Sequence, residues 1–342
     1  MTAVQMGSAP DILIWSRRQI DGDLRRAIES LPIATRRVAA YHLGWEDEDG
    51  RPAHLDGGKA IRPALVLLAA QAVGGISEVA VSAAVAVELI HNFSLLHDDV
   101  MDCDLTRRHR ATAWTVFGLG PAIMAGDALL GLALDVLLAT GHPRGGDAAR
   151  MLGADVQNLI EGQMADADME RRDHVDSAEC LRMAQLKTGT LLGASTALGA
   201  LLGGGDPRQI EHLRRYGENL GLAYQYVDDI LGIWGASDVT GKPVSSDLRR
   251  RKKSLPVVAA LNSGTSAGRK LAVLYRREVD PTDADLVEMA ELIEQAGGRR
   301  DSQTRANALL TASLEELTAS GIPAAEATGL ERLARLVTSR QH

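Results

Sequence analysis

Aromatic residues are scarce: Trp, Tyr and Phe make up 3% of the 342 residues, while Ala and Leu dominate. A core with so few rings must be filled by residues that favour helix over strand, so the composition leans to an all-α fold. Cysteine is nearly absent. Cys103 and Cys180 are too few and too unpatterned for a disulfide framework or a thiolate zinc site, which makes a reducing cytoplasm the expected compartment. Excess positive charge is lacking too. With 37 Lys and Arg against 45 Asp and Glu, the net charge of −8 has the wrong sign for a nucleic-acid partner. The opening MTAVQMGSAPDILIW lacks the basic and apolar regions of a secretory signal, so export is not expected. One uncharged stretch, Thr188 to Gly205, raises the question of a membrane span. Its six glycines make it weakly apolar, and it reads as a close-packed core helix with its exit loop rather than a span.

Apolar residues are abundant, at 45%, and recur at helical spacing almost throughout, as in Leu65, Leu68, Ala69 and Ala72 or Val85, Leu89 and Leu96. Turn-rich segments at 46–59, 141–147, 203–209 and 235–247 break the pattern, and none resembles an interdomain linker. The reading is a single domain over 1–342 with about ten or more helices. A faint internal similarity links SLLHDDVMD (94–102) and YQYVDDILG (224–232), each an apolar helix ending in paired aspartates.

In the first of these, Asp98 and Asp102 are four apart, which puts both carboxylates on one helix face, with Asp99 about 100° round. Like charges at that spacing repel unless cations lie between them, and carboxylate pairs with open water positions suit Mg²⁺ that also holds substrate phosphates. Asp104 extends the acidic patch. The second pair, Asp228 and Asp229, again interrupts a helix otherwise built for burial. Each pair alone is also explained as a solvated face or a cap. Around them lie basic groups suited to diphosphate: Lys59, Arg62, Arg107, Arg108, Lys187, Lys242 and Lys252. Any one of these, taken singly, is an ordinary surface charge.

Order and spacing change that reading. GGKAIRP (57–63), ELIHNFSLLHDDVMD (88–102), TRRHRATAW (106–114), LKTGTL (186–191), YQYVDDILG (224–232), and TGKP with DLRRRKKSLP (240–256) occur in series. From about residue 55 to 256 the chain thereby resembles the trans-isoprenyl diphosphate synthases, the polyprenyl synthetase family. The resemblance implies an isoprenoid synthase-type bundle of mainly antiparallel helices around a deep central cavity, usually a homodimer. It implies a prenyltransferase that joins an allylic diphosphate to isopentenyl diphosphate and releases diphosphate. Asp98 and Asp102 would hold two Mg²⁺ on the allylic diphosphate and Asp228 a third, supported by Asp99 and Asp229. Arg107, Lys187 and Lys242 would neutralise that diphosphate, with Lys252 nearby. Lys59, Arg62, His91 and Arg108 would bind isopentenyl diphosphate without metal. Thr188, Gln225 and the carbonyl of Lys187 would stabilise the developing carbocation.

Three departures stand out. Gly232 replaces the usual last Asp of the second cluster, Ala60 a common Arg, and Ala111 a usual Pro. The Gly232 change is expected to remove one carboxylate and weaken metal affinity without abolishing activity. His97, His109 and Cys103, beside the site, read as packing residues. Phe93 and Ser94, five and four residues before Asp98, occupy the positions that govern product length in the resembled family. One is large and one small, and the first cluster lacks the two-residue insertion typical of bacterial C15 enzymes. The expected product is geranylgeranyl diphosphate (C20), with farnesyl diphosphate (C15) as the alternative. Two rival readings share features of the sequence. A class I terpene cyclase would need no second diphosphate pocket, and a non-catalytic partner subunit draws only on Gly232.

Overall fold

The structure is a computed structural model that describes residues 9–53, 55, 57–235 and 245–339. Lys242 lies outside the described residues. Among those described there are sixteen α-helices and one two-stranded hairpin, in agreement with the all-α expectation. The chain divides into two compact units, the first comprising 1–156, 191–217 and 315–333, the second 157–190, 218–314 and 334–342.

The first unit is built on α1 (Ala9–Glu29), α2 (Ile33–His42), α3 (Ile61–Ala72), α4 (Val81–Met101), α5 (Ala113–Phe117) and α6 (Leu119–Leu138). Helix α4 is buried on all sides from Ala83 to Ile90, and Glu88 is the one charged residue in that stretch. Val85, Leu89 and Ile90 are buried with Leu65, Leu67 and Leu68 of α3, as befits a helix in the middle of a core. Between α4 and α5 runs the hairpin of β1 (Thr106–Arg107) and β2 (Arg110–Ala111), paired antiparallel with Arg107 opposite Arg110. Its two turn residues, Arg108 and His109, have φ of 50° and 61°, the positive values that a tight type I′ turn demands and that non-glycine residues adopt at a cost.

Helices α7 (Gly145–Arg171), α8 (Ser177–Ala184), α9 (Thr190–Leu202) and α10 (Pro207–Trp234) follow. The uncharged stretch from Thr188 is a core helix, as expected. Leu191, Leu192, Ala194 and Leu198 of α9 are buried, and a Cβ on Gly199 would come within 2.9 Å of Ala69, so glycine lets α9 lie directly on α3. In the second unit, α8 is started by a capping box between Asp176 and Glu179, and a π-helical turn, Gln185–Gly189, joins it to α9. The remaining helices are α11 (Ser246–Arg249), α12 (Leu255–Leu261), α13 (Ser266–Tyr275), α14 (Asp283–Gln295), α15 (Gly298–Ala319) and α16 (Ala324–Thr338). One apolar cluster of this unit joins Met169, Cys180, Met183, Tyr226 and Val258; another joins Ile233, Leu248, Val257, Leu271 and Met289.

By length and composition two helical segments, Ser77–Met101 and Leu119–Leu138, could cross a membrane. The first is the core helix α4 with the 3₁₀ turn that leads into it, and most of its apolar window is buried within the protein.

Candidate active site

The first acidic cluster closes α4. Asp98 and Asp99 lie in its last turn, and Asp102 is the C-cap, still in right-handed helical conformation, so the i, i+4 relation of Asp98 and Asp102 holds. Both of these are half-buried. Asp99 points inward. It is 1% exposed, and Arg107 Nε donates to its Oδ1 at 2.7 Å. Arg107 also comes within 4.0 Å of Asp104, which is buried rather than part of an open acidic patch. Thr112 Oγ1 and Trp114 Nε1 both donate to the Asp104 carbonyl, at 2.7 and 2.8 Å, and so tie the hairpin to the end of α4.

A pocket beside this cluster is lined by Tyr41, His42, Asp99, Arg107, Arg108 and Arg110 among others. Three guanidinium groups concentrate there. Burial, then Arg107 and Arg108, push His42 down to about 3, with Asn92 opposing and Arg110 adding to the fall. Burial, then Arg62, Arg108 and Arg107, likewise hold His91 well below its usual value. Both rings therefore stay neutral at pH 7, as hydrogen-bonding groups amid fixed positive charge. The structure thus gathers Arg62, His91 and Arg108, three of the four residues expected for the metal-free diphosphate. The guanidinium of Arg108 lies on Gly58, where a Cβ would meet its Cζ at 3.0 Å; this joins the GGK loop to the arginine hairpin. Lys59 sits in that loop with its side chain exposed.

One residue here was not visible in the motifs. Arg17 of α1 reaches the same loop and donates from Nη2 to Gly58 O at 2.6 Å; nothing in the local sequence around it signals this role. Ala60, which replaces a common Arg, is buried with φ of 52°, and Ser16 Oγ donates to its carbonyl at 3.4 Å.

In the second unit Lys187 and Thr188 stand on the π turn, a geometry common at functional sites. Close approach of α7 and α10 to this turn is set by glycine: a Cβ on Gly162 would lie 2.8 Å from Leu186, and one on Gly221 would lie 2.8 Å from Gly189. Thr188 Oγ1 donates to Gln225 Oε1 at 2.6 Å, Gln225 Nε2 donates to Asp229 Oδ1 at 2.7 Å, and the Leu255 N–H donates to Asp229 Oδ2 at 2.9 Å. The three expected residues thus form one relay. Asp229 is 5% exposed. Burial, reinforced by the charge of Asp247 and opposed by Lys252, the Leu255 N–H and Gln225, pushes it up to about 7. Asp228, its neighbour, is exposed.

Lys187 Nζ donates to Asp166 Oδ2 of α7 at 2.6 Å. Burial raises Asp166, but Lys187 and Lys252 outweigh it and keep the carboxyl below its usual range. Asp166 was missed from the sequence, although GQMADAD (162–168), an apolar-flanked acidic pair on a helix, is a signal of the kind that marked the other two clusters.

Among the described residues no three Asp, Glu, His or Cys side chains gather into a ready cage for a metal ion. Each cluster offers oxygen donors only, and few of them. That donor set fits Mg²⁺, which keeps several waters and is commonly held by one or two carboxylates together with substrate phosphates.

An all-helical chain with two helix-borne aspartate clusters, each accompanied by lysine or arginine, has the isoprenoid synthase fold. The sequence profile described as Polyprenyl synthetase matches residues 52–293, and the chain belongs to that family; it is a prenyltransferase. It is 48% identical over 334 residues to (2E,6E)-farnesyl diphosphate synthase of Mycobacterium tuberculosis (strain ATCC 25618 / H37Rv), an alignment that covers 96% of this chain and 93% of the relative. To geranylgeranyl diphosphate synthase of the same strain it is 44% identical over 325 residues, covering 93% and 92%. The crystal structure of a polyprenyl synthetase from Streptomyces coelicolor A3(2) superposes with a TM-score of 0.92 at 46% identity, covering 95% of this chain and 98% of that one.

Proposed function

We propose that this protein is a Mg²⁺-dependent, short-chain prenyl diphosphate synthase that condenses an allylic diphosphate with isopentenyl diphosphate. The observation that carries the reading is the gathering of Arg62, Arg108 and Arg107 around the buried, neutral His91, more positive charge than one metal-bound diphosphate calls for. A terpene cyclase would have no use for it. Asp98, Asp102 and Asp228 would hold the metal ions, three with substrate bound, with Asp99 and Asp229 in support. Bound Mg²⁺ acts as a Lewis acid on the leaving diphosphate.

The chain's own groups do the rest. Lys187, positioned by Asp166, Lys252 and the hairpin Arg107 counter the charge that builds on the leaving group. The Lys187 carbonyl and the oxygens of Thr188 and Gln225 face the carbon that turns positive. Lys59, Arg62, His91 and Arg108 orient the second diphosphate so that its alkene attacks that carbon, and the proton then lost goes to the departing diphosphate. Lys242 is assigned to the leaving diphosphate on its motif alone.

For product length we favour C20. Phe93 is 5% exposed and meets His97 edge-on with ring centroids 4.8 Å apart. His97 in turn bonds the Ile123 carbonyl at 2.9 Å through Nε2 and lies against Gly126 of α6. This makes a stiff wall beside the small Ser94, whose hydroxyl is turned to the His91 carbonyl at 2.8 Å. A C15 product is the second reading, favoured by the name of the relative at 48% identity. A homodimer is the inferred assembly. The apolar side chains of Leu119, Met124 and Leu138, left exposed on α6, provide a surface for it, and sedimentation equilibrium tests this. Two free cysteines, one of them buried, accord with a reducing compartment.

The deciding experiment incubates the purified protein with Mg²⁺, isopentenyl diphosphate and each allylic primer in turn, then chromatographs the dephosphorylated products. Turnover that depends on isopentenyl diphosphate and ends mainly at C20 is expected. Consumption of the allylic diphosphate alone would make the protein a cyclase, and no turnover at all would make it a partner subunit.

A further inference from the structure

Gly232 leaves a space on α10 that is already filled. A Cβ built there would lie 2.7 Å from Cγ and 3.2 Å from Oδ1 of Asp247, with Oδ2 closer still. Such distances mean that the Asp247 carboxylate is seated on the bare Cα of Gly232. Residues 228 and 232 are four apart on one helix, so their Cβ positions share a face at about 5–6 Å. A carboxylate from a different segment therefore stands one turn beyond Asp228, on the same face of α10.

That segment is held in place on both sides of Asp247. Ser245 Oγ donates to the Ile233 carbonyl at 3.1 Å, Leu248 is fully buried in the apolar cluster that contains Ile233, and the Lys252 N–H donates to the Asp247 carbonyl at 2.9 Å. The backbone at Asp247 cannot move off α10 without unseating Leu248.

We propose that Asp247 is the third carboxylate of the second cluster, delivered by α11 into the space that Gly232 opens, and that the two residues depend on each other. The inference rests on the reading of Asp228 as a metal ligand. It also revises the expectation drawn from Gly232, because the carboxylate is relocated rather than lost. Restoring Asp at 232 alone would press two carboxylates into one space.

The test uses the purified full chain with inorganic diphosphate. Thermal unfolding is followed by circular dichroism as Mg²⁺ is added, and the half-saturating Mg²⁺ concentration is read from the rise in the midpoint. Asp247→Asn is expected to raise that concentration about 10- to 100-fold, the range for loss of a group that supports a metal site. Gly232→Ala should raise it by less, because the new methyl displaces the carboxylate without removing its charge. Gly232→Asp should lower the metal-free midpoint without lowering the Mg²⁺ requirement, and the double variant Gly232→Asp with Asp247→Gly should return most of the way to wild type. An unchanged requirement in Asp247→Asn, alongside a raised one in Asp228→Asn, overturns the role of Asp247 and leaves the metal reading intact. If Asp228→Asn is unchanged as well, both readings fall. Should Asp247→Asn not fold, an unchanged requirement in Gly232→Ala would overturn the proposal in its place.

Discussion

The two acidic clusters have similar sequences and opposite electrostatics. At the end of α4 the buried partner, Asp99, faces a full positive charge, the Arg107 guanidinium at 2.7 Å. In α10 the buried partner, Asp229, accepts hydrogen bonds from two neutral donors, the Gln225 amide and the Leu255 N–H, and rises to about 7, with the charge of Lys252 opposing the burial that lifts it. An ion pair at hydrogen-bond distance recovers much of what burial costs a carboxylate, whereas two dipoles and a through-space charge leave Asp229 raised. The first cluster is thus balanced in advance. The second is balanced in part by the charge of Lys252, and on the proposed reading by metal ions bound with substrate.

The largest effect expected is on turnover. Asp98→Ala, Asp102→Ala and Asp228→Ala should each lower kcat by about 10²- to 10³-fold or more, as when one preorganised electrostatic partner of a developing charge is removed. Steady-state assays on variants with native circular dichroism check this, and a near-normal rate in any one cancels its assignment.

Stability should separate the clusters more sharply. Arg107→Ala removes the guanidinium facing a buried carboxylate and should cost about 3–5 kcal/mol. Gln225→Leu removes one neutral donor from Asp229 and should cost about 1–3 kcal/mol. Urea unfolding at pH 7 measures both, and equal losses would dissolve the contrast.

The pH dependence of stability should bear the mark of the arginine pocket. His42 is held at about 3 in the folded chain against 6.5 unfolded. Below pH 6.5 only the unfolded chain takes up that proton, so stability is full above 6.5 and falls as pH drops toward 3. The slope is about 1.4 kcal/mol per pH unit for each such histidine, and His91 adds to it in the same direction. Urea midpoints between pH 7.5 and 5 should therefore fall, and His42→Gln should flatten the decline. An identical slope in that variant would count against the assignment.

The mildest effect is a change of product at preserved rate. Phe93→Ala should lengthen the product and Ser94→Phe should shorten it toward C15. Chromatography of the dephosphorylated alcohols reads the shift, and an unaltered distribution in both would remove Phe93 and Ser94 from the chain-length wall.

Much of this was legible without coordinates because it is local. Helical periodicity, the Asp98–Asp102 spacing and each basic motif taken singly are set by residues a few positions apart, where the 3.6-residue turn dictates geometry. Asp166 was overlooked because its motif is short and its meaning appears only against Lys187, twenty-one residues on. Arg17 carried no local signal at all.

The sequence by itself determined the all-α fold, the family, and which helix faces bear acid. Only the tertiary structure decided which partner each charge receives. Arg107 turns back to Asp99 because a hairpin with two positive-φ residues aims it there. Asp229 meets Leu255, and Gly232 meets Asp247, across 26 and 15 residues of chain. The physical reason is that a charge is set by what lies within a few ångströms, and at those separations neighbours are chosen by helix packing and by the space a missing Cβ leaves, neither of which is written in the order of residues around the site.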